Sequence, residues 1–97
     1  MWQENWRETL NEYRHAIDEI DSGILELLGK RTELSERIGE IKHEHGLPIC
    51  VPEREAEVIK NRQDLGRLKG LSERFVRVMF KFIMHESKQI QRKLVKA

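Results

Sequence analysis

Apolar side chains recur along the first half of the chain at steps of three and four residues: Leu10, Tyr13, Ile17, Ile20, Ile24 and Leu27, then Leu34, Ile38 and Ile41. That spacing is the period of an amphipathic helix with one buried stripe. A single position on the line departs, and it is held by Arg31. A permanent cation on a packing seam costs on the order of several kcal/mol unless anions meet it there. No carboxylate shares the stripe, so the guanidinium calls either for an ion pair with another helix or for a bound anion.

The first helix is expected from Trp6 to His45, halted by Gly46 with Pro48 just beyond. Gly23, Gly29 and Gly39 lower its propensity without interrupting the apolar period. Residues 46–52, GLPICVP, read as a short loop. Pro52 suits the first turn of a second helix, where Glu53 and Glu55 oppose the macrodipole favourably and Arg54 does not. Val58, Ile59 and Leu65 mark its expected buried side, and Gly66 its expected end. Ser72 then serves as N-cap of a third helix carrying Val76, Met79, Phe80, Ile83, Ile90 and Leu94 on one face. No strand pattern is present, so the class is all-α with three helices.

A first helix of about 40 residues spans roughly 60 Å, about twice the width of a compact domain of this size. The chain cannot cover that stripe by itself, so a homodimer or larger assembly is expected. The 97 residues are read as one domain, 1–97. With a net charge of +1 and no basic block, the sequence offers no electrostatic case for nucleic acid or an acidic membrane. Neither a signal-like apolar segment nor a membrane span is visible, and the single Cys50 suggests a reducing, cytoplasmic setting. His43 and His45 lack partner ligands at metal-site spacing, and neither a metal nor a cofactor is expected.

The third helix breaks its apolar line as the first does. Ser87 continues the series through Val76, Phe80 and Ile83, and Gln91 lies one turn further; both need hydrogen-bond partners, from neighbours, water or a ligand. Lys42 lies eleven residues after Arg31 at nearly the same azimuth, about 16 Å along the helix, so the two cations can reach toward a small molecule between them. Arg14 lies seventeen residues before Arg31, about 25 Å away, beyond the reach of that molecule. Two first helices paired antiparallel about residue 25 would instead bring the partner's Arg14 between Arg31 and Lys42. The resulting pocket, with Ser87 and Gln91 as polar positioners and Glu55 as its acid, suits a small, multiply anionic ligand.

These residues resemble the all-α chorismate mutase family, whose members are intertwined helical dimers. The match runs through Tyr-Arg-x-x-Ile-Asp-x-Ile-Asp (13–21), Leu-Leu-x-x-Arg (27–31), Ile-x-x-Ile-Lys (38–42), Pro-Ile-x-x-Pro-x-Arg-Glu (48–55) and Glu-Ser-x-x-x-Gln (86–91). The five segments occur in order and cover essentially the whole chain. The resemblance implies that Arg31, and Arg14 supplied in trans, bind the carboxylates of chorismate. It also implies that Lys42 and Gln91 contact the ether oxygen, that Arg54 and Ser87 position substrate, and that Glu55 accepts the ring hydroxyl. Lys42, Gln91, Arg31 and Glu55 are thus the expected catalytic set, while Arg14, Arg54 and Ser87 complete the substrate-binding set. Val51 departs from the family pattern, which often has an acid just before Pro-x-Arg-Glu, so recognition of the hydroxyl falls to Glu55 or backbone.

The expected reaction is the concerted [3,3] rearrangement of chorismate to prephenate, in phenylalanine and tyrosine biosynthesis, which needs no acid, base or cofactor. That agrees with the lack of a nucleophile–base pair, a metal cluster or a glycine-rich phosphate loop in the sequence. Alternatives on the same scaffold are an isochorismate-pyruvate lyase and a mutase of 4-amino-4-deoxychorismate. An alternative of another class is a non-catalytic helical dimerisation module with Arg31 in an ordinary ion pair.

Overall fold

A computed structural model describes the backbone of residues 2–96 and the side chains of residues 5–93. It contains three helices, α1 (Trp2–Glu44), α2 (Pro52–Leu68) and α3 (Glu73–Lys96), and no strand among the described residues. None of these helices is long and apolar enough to cross a membrane. The helix count and class agree with the sequence reading. α1 begins four residues earlier than expected, and the side chain of Leu94 lies outside the described residues. The chain divides into two units, Met1–Arg31 and Thr32–Ala97.

Unit 1 is the greater part of α1, and its apolar positions are open to solvent. Tyr13 is 65%, Ile20 62% and Leu27 66% exposed, with Leu10, Ile17 and Ile24 exposed as well. Arg31, at the end of this unit, is half-buried.

Unit 2 holds the last turns of α1 together with α2 and α3. Both reversals of the chain here end a helix in the same way. At the end of α1, Gly46 takes φ +61°, Leu47 N–H donates to the Lys42 carbonyl at 2.8 Å and Gly46 N–H to that of His43 at 3.4 Å. At the end of α2, Gly70 takes φ +79°, Leu71 N–H donates to the Gly66 carbonyl at 2.9 Å and Gly70 N–H to that of Arg67 at 3.1 Å. Each pair of bonds satisfies carbonyls left over in a last helical turn, and each needs the left-handed residue that glycine supplies without strain.

Pro52 opens α2 behind an extended Val51 (φ −124°, ψ 92°), as the residue before proline must be. At the other end, the Ser72 hydroxyl accepts Phe75 N–H at 3.1 Å and caps α3 as expected. Arg67 bridges Asp64 at 3.1 Å and Glu73 at 2.6 Å, tying the end of α2 to the start of α3.

Gly66 is not the end of α2. It is helical and buried, and a Cβ placed on it would stand 2.7 Å from Cγ2 of Val76, itself 1% exposed. The bare backbone lets α2 approach α3 here, and α2 runs on to Leu68 before Gly70 ends it. Leu65, expected inside, is 53% exposed, whereas Val58 is buried at 5% and Ile59 half-buried. Val76 is buried, and Met79, Phe80, Ile83 and Ile90 are half-buried along the expected face of α3.

The portion of α1 in unit 2 buries an unexpected face. Leu34, Ile38 and Ile41 are exposed at 59%, 46% and 53%, while Ser35 and Gly39 are buried and Lys42 half-buried. Ser35, Gly39 and Lys42 lie four and three residues apart and share one side of the helix. The small polar line turns toward α3, and the apolar line stays in solvent.

Candidate active site

Lys42 stands in the last turn of α1 and Gln91 near the end of α3, and the two meet. Lys42 Nζ donates to Oε1 of Gln91 at 3.0 Å and to the Ile49 carbonyl, also at 3.0 Å. Gln91 is 6% exposed, so the contact lies inside the unit. An ammonium has only donors, which forces the amide oxygen of Gln91 to face it and leaves Nε2 as that side chain's donor. The same ammonium ties the 45–51 loop to α1 through the Ile49 carbonyl, and the Lys42 backbone carbonyl adds a second tie by accepting Leu47 N–H. The arrangement fixes a cation and an amide side by side.

One turn below Gln91 on α3, Ser87 accepts a hydrogen bond from the Ser35 hydroxyl at 3.0 Å. Ser35 is 5% exposed and was not singled out from the sequence. Its signal was available: it lies seven residues before Lys42, two turns earlier on one face.

Glu55 is brought in by the first turns of α2. Its Oε1 accepts from Lys88 Nζ at 2.6 Å, and its Oε2 accepts from the Cys50 thiol at 3.5 Å. The hydrogen bond from Lys88 holds its carboxyl below the ordinary carboxylate value; partial burial opposes this, and the Cys50 thiol and the Lys42 charge reinforce it. Lys42 and Lys88 therefore act on one carboxylate from α1 and α3. Lys88 was not identified from the sequence, because its meeting with Glu55 depends on the register between α2 and α3. Beyond the Glu55–Lys88 pair, α2 and α3 enclose a groove of about 560 Å³ that Lys60, Lys81 and His85 also line.

Arg54 is turned along its own helix and pairs with Glu57 at 2.8 Å, both exposed. Arg14 is exposed on unit 1, and Arg31 closes that unit half-buried. Val51 is half-buried at the start of α2. Among the described residues no group of His, Cys, Asp and Glu is arranged to hold a metal ion.

Comparison with known proteins places these features in a family. The family model described as chorismate mutase type II matches residues 13–92. The chorismate mutase of Methanocaldococcus jannaschii is 34% identical over 85 residues, covering 88% of this chain and 86% of that protein. The T-protein of Haemophilus influenzae is 35% identical over 83 residues, 86% of this chain but 22% of its own length. The bifunctional chorismate mutase/prephenate dehydratase of Aquifex aeolicus is 55% identical over 53 residues, 55% of this chain and 15% of its own. The chain thus spans about a fifth of the length of the T-proteins it matches. With a family model spanning most of its residues and a relative matched nearly end to end, the chain belongs to the chorismate mutase type II family.

Proposed function

We propose that this chain is a chorismate mutase that converts chorismate to prephenate in phenylalanine and tyrosine biosynthesis, in the cytoplasm. The observation that carries the reading is the bond between Lys42 and Gln91, which unites an ammonium and an amide donor within one site. In a concerted [3,3] shift the ether carbon–oxygen bond breaks as a carbon–carbon bond forms, and negative charge grows on the ether oxygen. Two donors fixed beforehand at that oxygen stabilise the charge without reorganising. Two of the three Lys42 donors are engaged by Ile49 and Gln91, and the third is available to the ether oxygen. No general acid, base or cofactor takes part.

The working form is an antiparallel homodimer of intertwined chains, with residues 1–97 as one domain of each. The exposed stripe of α1 supports it: Tyr13, Ile20, Leu27, Leu34 and Ile41 are all more than half exposed in a single chain. A second copy in opposite direction covers such a stripe with itself. Arg31 and the partner's Arg14 grip the two carboxylates and fold the enolpyruvyl arm over the ring. Glu55 accepts the ring hydroxyl in place of the acid that Val51 lacks. Ser87 and Arg54 position the substrate, Arg54 by leaving Glu57.

A continuous ultraviolet assay with chorismate, isochorismate and 4-amino-4-deoxychorismate tests the assignment. Loss of chorismate with formation of prephenate is expected. Salicylate and pyruvate from isochorismate, or turnover of the amino analogue alone, overturns it in favour of the corresponding relative. No turnover of any of the three, with no binding of a dicarboxylate transition-state mimic, leaves the dimerisation module.

A further inference from the structure

The two oxygens of Glu55 are held very differently. Oε1 takes a charge-assisted hydrogen bond from Lys88 at 2.6 Å, and the two side chains are only 29% and 22% exposed. Oε2 accepts from the thiol of Cys50, at 3.5 Å. A thiol is a weak donor, whereas an ammonium–carboxylate bond is among the strongest that side chains make. A hydroxyl arriving at this carboxylate thus finds one oxygen firmly occupied and the other cheaply vacated.

We infer that Lys88 is a positioning residue for substrate recognition: it anchors Oε1 of Glu55 so that Oε2, released by the Cys50 thiol, becomes the acceptor for the ring hydroxyl. This rests on the mutase reading and extends it to a residue outside the expected site. The anchor compensates for Val51, whose side chain has no polar atom to orient the hydroxyl from the loop. The charged groups described around Glu55 agree with the assignment. Lys42 reaches it from α1 but directs its own bonds to Ile49 and Gln91. Arg54 is engaged by Glu57, and Lys60 by Asp64 at 2.8 Å. Lys81 and His85 line the same groove without bonding the carboxylate. Lys88 is the cation that holds it by contact among these groups, and the lowered Glu55 pKa has that hydrogen bond as its largest cause.

The test compares wild type, Lys88→Met and Lys88→Arg in binding two rigid dicarboxylate transition-state mimics, one with the ring hydroxyl and one without. Wild type is expected to favour the hydroxylated mimic. In Lys88→Met that preference falls by about tenfold or more, the value of one buried charged hydrogen bond, while affinity for the deoxy mimic stays within about twofold. Lys88→Arg restores most of the preference. The acid limb of kcat/KM also moves to higher pH in Lys88→Met, because Glu55 loses the cation that holds it ionised. An unchanged hydroxyl preference in Lys88→Met overturns the inference, as does an equal loss for both mimics, which marks a general effect on charge or fold. A wild-type protein that binds neither mimic overturns the mutase reading itself.

Discussion

Lys42 Nζ and Gln91 Oε1 stand 3.0 Å apart, and through them the last turn of α1 is joined to the end of α3. The lysine is placed by the helix end that Gly46 makes possible, and the glutamine by a face of α3 that is otherwise apolar. Gln91 is an exception to the apolar line of its helix, Lys42 belongs to the small polar line of its own, and each is the other's partner.

Replacing Lys42 by alanine removes the ammonium that bonds Gln91. On the proposed mechanism kcat falls by about 10²–10³-fold. Circular dichroism should show the helices retained, since α2 and α3 pack without this residue. Steady-state turnover close to wild type takes Lys42 out of the chemistry.

Sharing of the site between chains is measured by mixing Arg14→Ala and Arg31→Ala proteins, each expected to be inactive. With random exchange half the dimers are mixed, and each has one intact site. Activity should therefore recover to about a quarter of the wild-type value per chain. Subunit exchange demonstrated by mass-tagged chains, with no recovered activity, refutes an Arg14 acting in trans.

Gly66→Ala sets a methyl group 2.7 Å from Cγ2 of Val76. Val76 is β-branched, stiff about χ1 and almost wholly buried, so it cannot swing aside. The helices must part, at a cost of about 1–3 kcal/mol. This outweighs the gain of up to about 1 kcal/mol that alanine brings to a helix interior. Chemical denaturation should show a net loss, and a stabilised variant contradicts the close approach of α2 and α3.

The Glu55–Lys88 pair gives stability a pH dependence of definite sign. The carboxyl lies below its ordinary value of 4.5 in the folded chain. Its contribution is complete above that value and is lost as pH falls through the lower, folded one. Glu55→Gln should thus be less stable than wild type at pH 7, by about 1 kcal/mol or less for a partly exposed pair. Denaturation curves of the two proteins should converge on acidification. A gap that persists at low pH assigns the loss to packing instead.

Much of this arrangement is legible in the chain because its helices follow a strict period and end on glycines and a serine cap. Arg31, Ser87 and Gln91 stand out as polar residues at apolar positions, Lys42 follows from its spacing to Arg31, and together they lead to the site. Periodicity misplaces Gly66, since a glycine near a helix end reads the same whether it stops the helix or admits a neighbour. It also misses Ser35 and Lys88. The buried face of α1 in unit 2 is the small polar line of Ser35, Gly39 and Lys42, and hydrophobicity alone selects the larger apolar line beside it. The pairing of Lys88 with Glu55 joins residues 33 positions apart, through a helix register that no local pattern encodes.

The solvent-facing stripe of α1 has a further consequence under the proposed pairing. A catalyst completed only when two chains meet gains working sites faster than in proportion to its abundance while protein is scarce. Specific activity should then decline on dilution and rise toward a plateau as chains accumulate, so that expression level sets the fraction of chains at work as well as their number.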